Sequence, residues 1–242
     1  MARTPLDHRW PLTRGPVARL GASTGGARRR GPAEFLDAAA KRVLDVVGAS
    51  LLLVVLCPVM LVTAVVVRLT SPGPAFFQQV RVGRRRSPFV MLKFRTMYAG
   101  NDDAIHRAYV TGMLARSPRP TDERSTYKLT EDPRVTAVGR FLRRTSLDEV
   151  PQLINVLVGD MSLVGPRPVL PWEAELFEPT HQLRFAVKPG ITGLWQVGGR
   201  SSLTMQQALD LDADYVRRRN LALDLLTLLR TVPAVLRSRD AC

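Results

Sequence analysis

Cysteine is nearly missing from this 242-residue chain: Cys57 lies inside an apolar run and Cys242 is the last residue. Two cysteines so placed imply neither a disulfide framework nor a metal-ligand cluster. Histidine is as scarce. His8, His106 and His181 are scattered, and neither HExxH nor a paired CxxC occurs, so nothing points to zinc. Negative charge is also in deficit, with 21 Asp and Glu against 35 Lys and Arg and a formal charge of +14. That surplus calls for an anionic partner, which charge alone does not choose among nucleic acid, anionic membrane and phosphorylated substrate. No apolar signal core with a small-residue cleavage site occupies the first thirty positions, so a signal peptide is not expected.

What remains is one domain, or one domain with appendages, large enough to bury a sizeable core. Residues 1–33 set Arg3, Arg9, Arg14, Arg19, Arg28, Arg29 and Arg30 among Pro, Gly, Ser and Thr, and read as a disordered basic tail. Residues 46–67 then pass without a charge, enough to cross a hydrocarbon core of roughly 30 Å as one helix. Pro58 near the middle removes a backbone bond and predicts a kink or break. Basic residues flank both ends, Lys41 and Arg42 before and Arg68, Arg81, Arg84, Arg85 and Arg86 after, so both flanks favour the cytoplasm. A re-entrant hairpin that enters one leaflet and returns is therefore favoured over a Pro-kinked single span.

SPGP at 71–74 stops the helix, and two alternating stretches, 75–82 and 88–97, read as a β-hairpin around GRRRS. In the second strand Val90, Leu92 and Phe94 share one face while Lys93 and Arg95 share the other, either as a phosphate clamp or as a solvated face. Residues 99–132 are polar and read as a loop or lid. Helices are predicted at 134–144 and 171–187, a Gly-rich extended piece with Trp195, Gln196 and Arg200 at 191–201, and a helix over 205–239. That last helix turns apolar around most of its circumference, with Asp224, Thr227, Arg230 and Thr231 as a narrow polar stripe, which suits the membrane interface.

The rest of the chain is organised around TSLDEVPQLINVLVGDMSLVGPRP at 145–168. Apolar residues at three- and four-residue steps predict a helix of about three turns, and Ser146 with Glu149 fits a capping box. Asp148 and Glu149 then fall at a helix N-terminus, where a carboxylate stays ionised. SxxE alone reads as a cap. The cations on either side, Arg140, Arg143 and Arg144 before it and Arg167 after it, weaken that reading.

KRVLDVVGASLLLVVLCPVML, SPGPAFFQQVRVG, KFRTM, the 145–168 stretch and KPGITGLWQVGGR, in this order, closely resemble the bacterial sugar transferases of the monotopic phosphoglycosyl transferase superfamily, over about residues 38–236. The resemblance implies transfer of a sugar-1-phosphate from a UDP-sugar to polyprenyl (undecaprenyl) phosphate with release of UMP, in exopolysaccharide, capsule or O-antigen-type glycan assembly. It implies Asp148 as the nucleophile that forms a phosphosugar–enzyme intermediate, Glu149 in acid/base or metal-positioning work, and Mg2+ as cofactor, with Asp148 as its ligand. Arg143 falls near the polyprenyl phosphate head group, and Lys93, Arg95, Arg167, Gln196 and Arg200 are further substrate-binding candidates. The family's helix-breaking proline corresponds to Pro58, but the serine that often precedes it is Cys57 here, so a hydroxyl back-bond to the helix is unavailable.

The expected fold is α+β: a monotopic membrane protein with a re-entrant helical hairpin, a small β-hairpin and interfacial amphipathic helices. Its parts are the tail at 1–33, the re-entrant helix at 34–72, and a cytoplasmic catalytic domain at 73–242 on the bacterial inner membrane. An anionic membrane surface is an expected partner, and a homodimer is compatible with the sequence. Nucleic acid is not an expected partner, because no recognised binding motif appears. A non-catalytic scaffold leaves the acid dyad among cations unexplained.

Overall fold

The computed structural model describes residues 32–98, 107–108, 110–112, 132–199 and 203–236. The basic tail through residue 31, nearly all of the polar stretch 99–131 and Arg200 lie outside the described residues, while Pro32 and Ala33, read as the tail's end, begin the first helix. The chain is mixed helix and strand, with one long apolar helix, α1 (Pro32–Thr70). α1 is helical without interruption across Pro58, so the proline does not divide it into two helices.

α1 is not a free-standing rod. Ala49, Leu53 and Leu56 pack into one core cluster, and Met60, Ala64 and Val67 into another. These positions recur at three and four residues, the step that keeps one stripe of a helix against a neighbour. The opposite face leaves Leu51, Leu52, Val54, Val55, Leu61, Val62 and Val65 exposed. Polar locks hold the N-terminal part of α1 to the same body. Asp45 accepts from Ser162 Oγ and the Leu163 amide, each at 2.9 Å, and Arg42 donates to the carbonyls of Val156 and Leu157.

The hairpin forms as the alternation predicts. β1 (Phe76–Val82) pairs antiparallel with β2 (Pro88–Phe94), with Phe77 opposite Lys93 and Val80 opposite Val90. Phe89 and Met91 are buried on one face, where Lys93 is half-buried against Glu149, while Val90 on the other face is exposed. Lys93 therefore points into the body, which removes the solvated-face reading for it.

α2 (Ala137–Thr145) starts at Thr136, whose Oγ1 accepts from the Gly139 amide at 2.8 Å. Leu142 and Val135 are buried. The predicted three-turn helix after it is divided into a 3-10 turn at Leu147–Glu149 and α3 (Gln152–Val158). Pro151 has no N–H to continue the first turn into the second. Nor does the capping box form: Ser146 is left-handed (φ 58°), its side chain makes no cap bond, and Glu149 lies in the turn, outside α3.

β3 (Ser162–Val164) pairs in parallel with β4 (Gly190–Thr192). Between them the predicted helix at 171–187 is α4 (Pro171–Glu175) followed by a 3-10 segment, Pro179–Ala186, with Pro179 at the start of the second piece. The stretch read as extended beyond 191 is largely helical, as α5 (Leu194–Gly198).

The C-terminal helix is two: α6 (Met205–Arg218), capped by Thr204, and α7 (Leu221–Leu236), whose Leu223 amide donates to Asn220 Oδ1 at 2.8 Å. α7 turns most of its predicted polar stripe inward. Asp224 and Thr227 are each 1% exposed and Thr231 bonds Thr192, whereas Leu225, Leu226, Leu229, Val232 and Leu236 face outward and Arg230 is exposed. Asp224 is locked by Lys41 of α1 at 2.8 Å and by the Tyr215 hydroxyl at 2.8 Å. Burial, with Asp224 beside it, pushes the Tyr215 hydroxyl up, so it stays protonated and donates.

Candidate active site

Three short elements meet at the acid dyad. Ser146 ends α2 in the left-handed region, a strained choice for a non-glycine residue, and sends the chain directly into the 147–149 turn. Asp148 is buried there at 8% exposure. Glu149 Oε1 is 3.2 Å from Lys93 Nζ of β2 and 3.0 Å from Arg167 Nη2 of the GPRP segment. Residues from three separated stretches thus meet in one charge cluster.

Burial lowers the Lys93 ammonium from its ordinary value, Arg167 and Arg81 push the same way, and the carboxylates Glu149 and Asp148 oppose them. A lysine so held is less firmly protonated than a surface lysine, and its charge depends on the dyad.

The supports are specific. Asn155 of α3 bonds the β2 backbone on both sides of Met91, accepting from the Leu92 amide at 3.0 Å and donating to the Val90 carbonyl at 2.7 Å. It fixes the strand that carries Lys93 against the helix that follows the dyad. The GPRP turn is held by backbone contact: the Gly165 amide donates to Thr192 O and the Gly190 amide to Pro166 O, both at 2.9 Å. A Cβ at Gly165 would lie 2.6 Å from the Lys188 carbonyl oxygen, so a side chain there would push the two segments apart. These glycines serve chain-to-chain approach.

The remaining sequence candidates divide. Arg143 is half-buried and donates from Nε to Thr96 Oγ1 at 3.0 Å. Arg95 does not join the Lys93 cluster. It is buried past the end of β2 and donates to the carbonyls of Ser71 (2.7 Å) and Pro72 (2.8 Å) and to Ser71 Oγ (2.9 Å), so it caps the C-terminus of α1. Its guanidinium lies at that helix end and not beside Lys93. Gln196 is buried on α5 beside Gly193 and donates to Ile191 O at 3.2 Å, behind the GPRP turn. Pro58 lies on α1. Between α1 and the dyad's turn, Leu56, Val59, Met60 and Thr63 face Phe94, Leu147 and Val150 across a narrow seam.

Sequence reading missed Asn155, Arg184 and Asp212. Arg184 donates to the Arg167 carbonyl and pairs with Asp212 Oδ2 at 2.8 Å. A polar residue at an apolar step of a predicted helix was the available signal for Asn155 and Asp212; for Arg184, in a 3-10 segment, there was none.

Among the described residues no group of three or more His, Cys, Asp or Glu side chains converges. A single carboxylate such as Asp148 would suffice for Mg2+ only together with phosphate oxygens and water, which that ion accepts as ligands.

Comparison with known proteins is consistent over nearly the whole described chain. Residues 36–238 match the family model described as bacterial sugar transferase. Exopolysaccharide production protein ExoY of Sinorhizobium fredii is 39% identical over 201 residues, covering 83% of this chain and 87% of the relative. The UDP-glucose:undecaprenyl-phosphate glucose-1-phosphate transferase of Caulobacter vibrioides is 42% identical over 209 residues, 83% of this chain and 71% of its own. The undecaprenyl-phosphate galactose phosphotransferase of Salmonella typhimurium is 40% identical over 201 residues, which are 83% of this chain but 41% of that protein.

Proposed function

This chain belongs to the bacterial sugar transferase family, and on that premise we propose that it moves a sugar-1-phosphate from a UDP-sugar to polyprenyl (undecaprenyl) phosphate, releasing UMP, in bacterial polysaccharide synthesis. The chain is a membrane-associated sugar-1-phosphate transferase. The observation that carries the reading is the buried Asp148 next to a glutamate clamped by Lys93 and Arg167, on a turn whose Leu147 packs in one apolar cluster with Met60 and Val67 of α1. A water-soluble diphosphate donor and a lipid phosphate meet only where cations and apolar surface adjoin.

In the proposed reaction one Asp148 carboxylate oxygen attacks the sugar-bearing β-phosphorus. The bridging Pα–O–Pβ bond breaks, UMP leaves with that oxygen, and an aspartyl phosphosugar remains. UMP departs before the acceptor binds. A phosphate oxygen of the polyprenyl phosphate then attacks the same phosphorus, displaces Asp148 and leaves polyprenyl diphosphosugar. Two half-reactions on one carboxylate require ping-pong kinetics. Lys93 and Arg167, held by Glu149, lie where they can lower the cost of charge on the transferring phosphoryl oxygens. Arg143 faces the acceptor phosphate in this reading, and Arg200 is a donor contact outside the described residues. Magnesium, held by Asp148 and substrate phosphates, would supply charge neutralisation at those oxygens.

The membrane reading is monotopic. The body grips α1 at Asp45 and again at Val67, where the α1-capping Arg95 also bonds Ser71, and a stripe between them is packed throughout. A body so attached along the helix cannot stay in water while that helix crosses a bilayer. The outward apolar faces of α1 and α7 therefore enter a single leaflet, on the cytoplasmic side of the inner membrane, with both ends of α1 in the cytoplasm.

A UDP-sugar panel with undecaprenyl phosphate in detergent, scored for UMP, tests the reaction. Wild type should release UMP with at least one donor, and Asp148→Asn should fall below about a tenth of that turnover, because an amide is no nucleophile. No UMP from any donor, or an active Asp148→Asn, overturns it.

A further inference from the structure

Arg184 and Asp212 form an ion pair buried on both sides, with side chains 4% and 3% exposed. The pair lies outside the dyad, and the reaction as derived makes no use of it. Burying two opposite charges is costly, and replacing such a pair with apolar residues often leaves stability unchanged or improved. Its geometry indicates what else it does. Arg184, from the 3-10 segment 179–186, lies over the Phe177 ring at 5.1 Å and the Phe185 ring at 5.9 Å, which fixes its plane. One nitrogen, Nη2, reaches both Asp212 on α6 and the carbonyl oxygen of Arg167. The next carbonyl, Pro168 O, accepts from Arg81 at 3.3 Å. The backbone on either side of the Arg167–Pro168 bond is thereby pinned from two directions, while the Arg167 side chain reaches Glu149.

We propose that Arg184 and Asp212 are positioning residues of the active site: the pair anchors the Arg167 backbone and so sets the angle at which its guanidinium holds Glu149 beside Asp148. This rests on the sugar-phosphate transferase reading for its kinetic consequence, but the anchoring can be measured without turnover. Removing either charge strands the other inside the protein, so the GPRP turn loosens first.

Burial holds the Asp212 carboxyl up at about 6, against the attraction of Arg184, Arg167 and His181, the last of which is itself bonded to Asp210. The signs for stability and activity are then opposite. A folded-state value above the ordinary 3.8 means the folded protein takes up the proton more readily than the unfolded chain. This group's contribution to stability is thus complete below about 4 and is lost as pH rises through about 6. Protonation nevertheless removes Arg184's counter-charge. Positioning predicts that kcat falls as pH drops through about 6 while this group makes the fold no less stable.

The experiment compares wild type, Asp212→Asn and Arg184→Lys by hydrogen–deuterium exchange of peptides spanning 162–171, by melting temperature, and by donor kcat and KM across pH 5 to 8. Lysine keeps the charge but lacks the planar guanidinium that the Phe177 and Phe185 rings hold in place. Should one variant not fold, the other supplies the comparison. The proposal expects faster exchange at 162–171 in a folded variant, kcat per folded molecule down by about tenfold to a hundredfold, donor KM little changed, and no acid limb near pH 6 in Asp212→Asn. Wild-type exchange and kcat per folded molecule overturn it, as does a kcat loss wholly explained by fewer folded molecules. Faster exchange in a folded variant, when the wild type itself releases no UMP from any donor, keeps the anchoring and sinks the transferase reading instead.

Discussion

Two cations on one strand face, two residues apart, have separate work. Lys93 meets Glu149, whereas Arg95, past the strand's end, turns back to the last carbonyls of α1. Their alanine variants should separate accordingly. Lys93→Ala should lower kcat with a small change in melting temperature. Arg95→Ala should cost about 1–3 kcal/mol of stability, because it strands buried carbonyls, with kcat per folded molecule near wild type. Equal kinetic losses in urea-calibrated samples would contradict that division. The alternation of β2 showed that both side chains leave the same face, and GPRP marked Arg167, so Lys93, Glu149 and Arg167 were legible as candidates. Where Arg95 would go was not legible, because a helix end twenty-odd residues earlier determines it. Asn155 and Asp212 were hidden for a similar reason: each is a polar residue at an apolar step whose partner is remote in sequence.

Among elements, the apolar run, the hairpin and α2 follow from period and punctuation alone. Boundaries failed where proline or a tertiary bond overrode the period: at Pro151 between the dyad's turn and α3, at Pro179 after α4, and at Asn220 between α6 and α7. The inward polar stripe of α7 was read as the polar side of an interfacial helix because sequence gives a helix its faces but not its partners. Truncation after Asn220 removes Asp224, leaving Lys41 and Tyr215 inside without their counterpart. That variant should stay membrane-bound through α1 and lose activity. Full activity in a flotation-assayed preparation would make α7 dispensable. α2 is set by close approach to the strand's extension, where the Thr136 amide donates to Thr96 O at 3.0 Å. A Cβ at Gly139 would overlap that same carbonyl oxygen. Gly139→Ala should therefore destabilise the fold by about 1–3 kcal/mol or more, read as an earlier urea midpoint.

For the molecule as a whole, the proposed membrane arrangement follows from the outward apolar faces of α1 and α7 lying on the same body as the Lys93–Glu149–Arg167 cluster. Single cysteines at Asp37 and Arg68, both exposed, in a background lacking Cys57 and Cys242, should be labelled only from the cytoplasmic side. Pro58→Leu restores the backbone bond that proline removes and should shift a fraction of molecules toward a span, seen as outside labelling at one end. Catalysis is the central claim, and it turns on whether the sugar phosphate rests on Asp148 between donor and acceptor. The direct measurement is intact-protein mass spectrometry after brief incubation with a UDP-sugar and no polyprenyl phosphate. The expected result is an added sugar phosphate mapped to Asp148, lost on adding acceptor and absent from Asp148→Asn. Turnover-competent enzyme that never carries the adduct, or carries it elsewhere, would contradict it.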